Sequence, residues 1–189
     1  RGFEDAQKCI DLAPDFADGY AVKGYAWLFY KLNVSGADKY YQRARELGWG
    51  DVKALMGYQG YCSGWWKFKE AEEAIQRMLA LDPLSFPVQM RLVELRINQG
   101  RNDEALEIIE RHWAEGNKYS QLNYWAAYAH LSKKEFSLAR ANAVKLSDDF
   151  DKASTLVDIY RAEGNRQEFE KSSLELIKQY GEEAIFLNC

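Results

Sequence analysis

The sequence predicts an all-α protein, a stack of antiparallel helix pairs, and three observations carry that reading. Apolar residues recur at three- and four-residue steps in every periodic segment, the spacing of a helix face rather than a strand. A helix–turn–helix plan returns along the chain, which is the mark of a repeat architecture. Only three prolines interrupt 189 residues, and the abundant residues include Ala, Leu, Glu, Lys, Gln and Arg, the good helix formers.

Taken in order, GFEDAQKCIDLAPDF at the start matches only the second helix of a unit. FADGYAVKGYAWLFYK and GADKYYQRARELG then form the first pair, and DVKALMGYQGYCSG with FKEAEEAIQRMLALDP the second. The clearest pair runs from Pro83 to Glu115. Met90, Val93 and Ile97 with Leu92 and Leu95 mark its first helix; Ala105, Leu106, Ile108 and Ile109 mark its second. Gly100 stands where the first helix stops in a left-handed conformation, and Asn102 or Asp103 follows as N-cap material. YSQLNYWAAYAHLSKK with EFSLARANAVKLSDD, and DKASTLVDIYRAEG with NRQEFEKSSLELIKQYG, complete the chain. One orphan helix plus five pairs makes eleven helices. Small residues fall where the helices of a pair cross, Gly24 facing Ala37, Gly60 facing Ala71 and Ala127 facing Ala139, because close backbone approach needs small side chains. Pro14 and Pro83 end second helices.

These residues resemble the tetratricopeptide repeat: the Gly24, Ala37, Ala44, Pro14 set, the Leu92, Gly100, Ala105, Pro83 set and the string GRNDEALEIIE. The resemblance spans essentially residues 1–189 as a single helical repeat domain and implies a right-handed α-α superhelix. Val93 and Val157 depart from it where the family has Gly or Ala, and Phe169 replaces a small residue of the second helix. The strings LAPDFADGYA and WWKFKEAEEAIQRMLALDPLS also look like the C-terminal repeat regions of bacterial winged-helix transcriptional regulators and of some adenylate cyclases.

Composition excludes several functions. A formal charge of −4 and a pI near 5.4 leave no basic face large enough to hold a phosphate backbone, so nucleic acid is not an expected partner. The most apolar stretch, Tyr20 to Leu32, is interrupted by Lys23 and Lys31 and is too short to span a bilayer. The chain opens without Met or a signal-peptide pattern, so it reads as a fragment of something longer. Cys9, Cys62 and Cys189 are an odd, unclustered set, read as three free thiols with no zinc site. That usage favours the cytoplasm, or the periplasm if a membrane segment precedes the repeats. No metalloprotease, nucleophile-elbow, phosphate-loop or dinucleotide motif is present, so neither catalytic residues nor cofactors are expected.

Function is therefore expected in a groove. In a solenoid of helix pairs the first helices line the concave surface. Their free stripe, counted from the crossing positions, gives Tyr25, Leu28, Tyr61, Met90, Glu94, Tyr124, Tyr128, Asp158 and Arg161 as the partner-binding set. Tyrosine there combines apolar area with a hydroxyl that can pair with a peptide backbone, although an aromatic stripe at helical spacing also suits simple packing. Repeats that clamp a C-terminal carboxylate carry Lys, Arg and Asn on this stripe, and Ala21, Gly57, Met90, Tyr124 and Ser154 do not match them. A protein or peptide partner is expected, in a scaffold or in the regulatory region of a signalling protein; a homodimer is compatible with either.

Overall fold

The computed structural model describes residues 2–31, 33–48 and 50–181, and among them finds eleven α-helices and no strand. They are α1 (Gly2–Leu12), α2 (Ala17–Lys31), α3 (Val34–Glu46), α4 (Val52–Gly64), α5 (Phe68–Leu81) and α6 (Phe86–Asn98), followed by α7 (Asn102–Ala114), α8 (Ser120–Ser132), α9 (Phe136–Ala143), α10 (Asp149–Glu163) and α11 (Arg166–Tyr180). This is the orphan helix and five pairs of the sequence reading. The chain divides into two compact units, Arg1–Leu95 and Arg96–Cys189, with the division inside α6.

The turns inside the pairs show the repeat most directly. Trp66, Gly100, Lys134 and Gly164 all have φ between 59° and 77°, and the first three are each 34 residues apart. The next residue closes the turn each time: the N–H groups of Lys67, Arg101, Glu135 and Asn165 donate to the carbonyls of Cys62, Arg96, His130 and Tyr160 at 2.8 to 3.0 Å. Those bonds satisfy carbonyls that a helix C-terminus leaves orphaned. Gly100 is left-handed, as its position demands. The cap expected at Asn102 or Asp103 is not there: a single residue, Arg101, links the turn to α7 and makes no side-chain cap bond, so Asn102 is already helical.

In unit 1 the core gathers Tyr41, Leu55, Ile75 and Met78 with Ala37, Ala44 and Ala71, all at or near zero exposure. In unit 2 a smaller cluster of Ala127, Ala139, Ala143 and Ile159 joins α8, α9 and α10. Ala127 and Ala139 are both completely buried. In α2 a Cβ on Gly24 would lie 3.0 Å from the Tyr41 ring, so this glycine makes room for an aromatic. Gly60 does not face Ala71. It is exposed with open space at its Cβ position, while Gln59 beside it is fully buried. The inward face of α4 is Leu55, Tyr58, Gln59 and Cys62, one residue and hence about 100° around the helix from the expected register. α9 is shorter than its sequence segment, because the chain turns at Val144 and Lys145 and Asp148 caps the next helix, accepting from Asp151 N–H at 2.8 Å. In the last pair Val157 is buried and Phe169 half-buried where the family carries small residues.

Cys9 and Cys62 are free thiols. Burial pushes the Cys62 thiol up to about 12, so it stays protonated and inert as a small core residue. Cys189 lies outside the described residues.

Candidate functional site

Three first helices of unit 1, α2, α4 and α6, enclose an open groove of about 720 Å³. Its floor is made of small side chains, Ala21, Ala54, Gly57 and Gly60, and its walls of Val22, Tyr25 and Met56. Arg91 and Glu94 of α6 stand at the rim and pair with each other at 3.0 Å. Tyr25 lies across the gap between α2 and α4: a Cβ on Gly57 would come within 2.9 Å of its Cδ2 atom. The ring is nonetheless 42% exposed. Gly57 therefore sets the depth at which this aromatic sits, and Tyr25 both packs between repeats and presents a face to the groove.

Of the residues expected in the groove, the structure brings Tyr25 and Glu94 to this site. Leu28 is half-buried against the core of unit 1. Tyr61 is a correction: it is 3% exposed and belongs to the core side of α4. Its hydroxyl donates to Asp38 Oδ1 at 2.7 Å and accepts from Lys67 Nζ at 3.0 Å. The cause is the one-residue register difference at Gln59, which turns Tyr61 inward and leaves Met56, Gly57 and Gly60 on the groove. Met90 is a second correction, with 1% exposure, because it sits one turn before the buried Val93 on the same face of α6. Val22, Lys53, Met56 and Arg91 line the groove and were missed; counting the α4 stripe from Gln59 would have found Lys53 and Met56.

In unit 2 the other four residues do come together. Tyr124 and Tyr128 have ring centroids 4.8 Å apart, the Tyr128 hydroxyl donates to Asp158 Oδ2 at 2.9 Å, and Arg161 Nη2 donates to Asp158 Oδ1 at 2.8 Å. Asp158 is buried, and Arg161 is exposed. Burial, then the neighbouring Asp158 carboxylate, hold the Tyr128 phenol far above its ordinary range, so it remains a donor. Asp158 is thus the hub of a satisfied network rather than an open contact.

A second, more polar cleft of about 590 Å³ lies over α3, α4 and α5 of unit 1, with Asp38, Arg45, Tyr58, Lys67 and Arg77 on its walls. Burial works against the charge on Lys67, but hydrogen bonds to Tyr61 and Asp38 outweigh it and raise the ammonium above its usual range. Burial likewise opposes ionisation of Asp38, and the bonds from Lys67 and Tyr61 again win, holding its carboxyl below the usual range. The triad fixes the α4–α5 turn to α3.

Residues 67–131 match the family model of the tetratricopeptide repeat. Within those residues the chain carries the tetratricopeptide repeat. Its structure is similar to a solved structure described as the functional characterization of Pseudomonas aeruginosa PilF, with a TM-score of 0.65 and 16% identity over 94% of this chain and 82% of that one. At that identity the likeness shows the fold, an all-α solenoid of helix pairs. No curated protein matches the sequence. Tetratricopeptide repeats are in general protein-interaction scaffolds and typically not catalytic, and no described helix is long and apolar enough to cross a membrane.

Proposed function

We propose that the groove of α2, α4 and α6 binds a segment of a partner protein, with Tyr25 as the principal contact. The observation that supports this most is the lining itself: three consecutive first helices contribute small residues to a floor, a half-exposed tyrosine to one wall and an ion pair to the rim. A floor of Ala and Gly admits a peptide close to the helix backbones, and an aromatic over it supplies apolar area with a hydrogen-bonding tip.

Selection of peptides from a random display library on the folded chain tests the reading. Selected peptides should bind the parent and lose roughly tenfold or more in affinity with Tyr25→Ala, the loss of about 1.4 kcal/mol that truncating a central aromatic contact exceeds. Gly60→Leu, which fills the floor, should abolish binding while the fold persists. Peptides that bind all three proteins equally would place the contact elsewhere.

A further inference from the structure

Four of the turns inside the helix pairs share one backbone, and at their left-handed position two carry glycine, Gly100 and Gly164, while two carry Trp66 and Lys134. Glycine adopts that conformation freely, whereas a bulky L-residue is strained by its Cβ. Trp66 has φ 59° and is 76% exposed, so little internal burial offsets the strain. Its ring meets Phe68 at 5.5 Å, itself at the start of α5. Trp65, the preceding residue, is 54% exposed. In the chain's own repeat, then, glycine is the residue that suits this position, and a tryptophan held out into solvent stands there instead.

Further groups share that edge of unit 1. α2 packs against α4 and runs in the same direction, since α3 reverses the chain between them. Tyr30, near the end of α2, is 75% exposed. Lys31 ends α2, its ammonium 5.6 Å from the centre of the Phe3 ring, and Lys69 is in the first turn of α5; both are exposed, and neither has an ion-pair partner among the described residues. Lys67 is different, because Asp38 holds its ammonium at 2.9 Å.

We infer that this edge of unit 1 docks on the surface of a lipid bilayer, with Trp65, Trp66 and Tyr30 at headgroup depth and Lys31 and Lys69 beside the phosphates. The aromatics stand at helix ends and on a turn, so they project rather than enclose. A fluid planar interface receives such side chains without a matching pocket. Their chemistry fits as well: Trp and Tyr pair an apolar ring with a polar tip, and Lys pairs an apolar stem with a charge, the types that settle where hydrocarbon meets headgroups. The chain as a whole carries −4, so long-range attraction to anionic lipid contributes little and the aromatic contacts dominate. This inference is independent of the groove, which lies on other residues.

Co-sedimentation of the whole chain with phosphatidylcholine vesicles, with and without phosphatidylglycerol, tests it, and brominated lipids report tryptophan depth by quenching. The parent should partition onto both vesicle types. Trp66→Gly should raise the thermal midpoint by relieving the strained turn and lower the partition coefficient about tenfold or more, the scale set by withdrawing a largely exposed indole from an apolar contact. Trp65→Ala should lower partition with the midpoint nearly unchanged. A lower midpoint for Trp66→Gly would make Trp66 a packing residue and overturn the inference; so would equal partition of parent and variant. Parent chain that ignores vesicles but self-associates through Trp66 in sedimentation equilibrium would assign the edge to a second copy and overturn it as well.

Discussion

The α4–α5 pair of unit 1 and the α8–α9 pair of unit 2 follow one plan and differ at two positions. In α8–α9 the crossing residues are Ala127 and Ala139, both completely buried. In α4–α5 the partner of the buried Ala71 is not a small residue: Gln59 occupies the inward face, its Nε2 donating to Ser63 Oγ at 2.8 Å and its Oε1 buried without a hydrogen-bond partner. The turns differ too, with Trp66 in one and Lys134 in the other at a shared left-handed position. A helix pair in this fold is thus defined by its turn backbone and its inward face, while the residue at the crossing can vary if its neighbours adapt. Gly60 is a decoy: it is small and one residue from the crossing, but it faces the groove.

The largest expected effect tests the crossing itself. Ala139→Leu and Ala71→Leu should each lose about 1 to 3 kcal/mol or more, the typical result of forcing volume into a packed site, measured by denaturant unfolding. Parent-like stability for either would mean that helix pair does not close at that residue. Gln59→Met should instead hold stability or gain up to about 1 kcal/mol, since it removes an unsatisfied buried oxygen at similar volume. A loss of more than about 2 kcal/mol would show that the amide is a structural requirement.

Gly60→Ala sharpens the contrast. With open space at its Cβ position and a helical backbone, alanine should add about 0.5 to 1 kcal/mol. Clear destabilisation would restore Gly60 to the crossing. Smaller still is Lys134→Gly, expected to gain about 0.5 kcal/mol as relief of the left-handed strain exceeds the entropic cost of glycine; a loss would show that the lysine contacts matter more than its backbone.

The smallest effect is electrostatic. Asp38 has a folded pKa below its unfolded value, so its stabilisation is present above the unfolded pKa and disappears as pH falls through the folded one. Asp38→Asn should therefore lower the thermal midpoint at neutral pH and make no difference under strongly acidic conditions. The pair is partly exposed, so the difference should be small and reduced by salt. An equal deficit at every pH would point to lost hydrogen bonding in place of charge.

The helices were legible in the sequence because a 3.6-residue period and punctuating Gly and Pro are local signals. Ala127 and Ala139 were expected on the faces where their helices meet, and both are completely buried. The groove was half legible. Tyr25 and Glu94 were placed by counting from crossings, but Tyr61 depended on Gly60, and one residue of error on a helix carries a side chain from groove to core. Nothing local distinguishes Gly60 from a crossing glycine; the difference is that Gln59 tolerates burial by bonding Ser63, which only the packed pair reveals. Met90 failed for another reason, because the face of α6 that buries Val93 is broad enough to include it. Asp158 and Arg161 were expected as groove residues; the hydrogen bonds that Asp158 accepts from Tyr128 and Arg161 were not foreseen.

Thermal and denaturant unfolding of Tyr25→Ala beside Tyr61→Ala tests the arrangement most directly, because the two tyrosines shared one register in the sequence and the fold separates them. With Tyr61 3% exposed and Tyr25 42% exposed, Tyr61→Ala should cost about 3 to 5 kcal/mol, as truncating a buried aromatic does, and Tyr25→Ala about 1 kcal/mol. Equal losses, or the larger loss at Tyr25, would contradict the inward rotation of α4 and with it the groove built on Tyr25, Gly57 and Gly60.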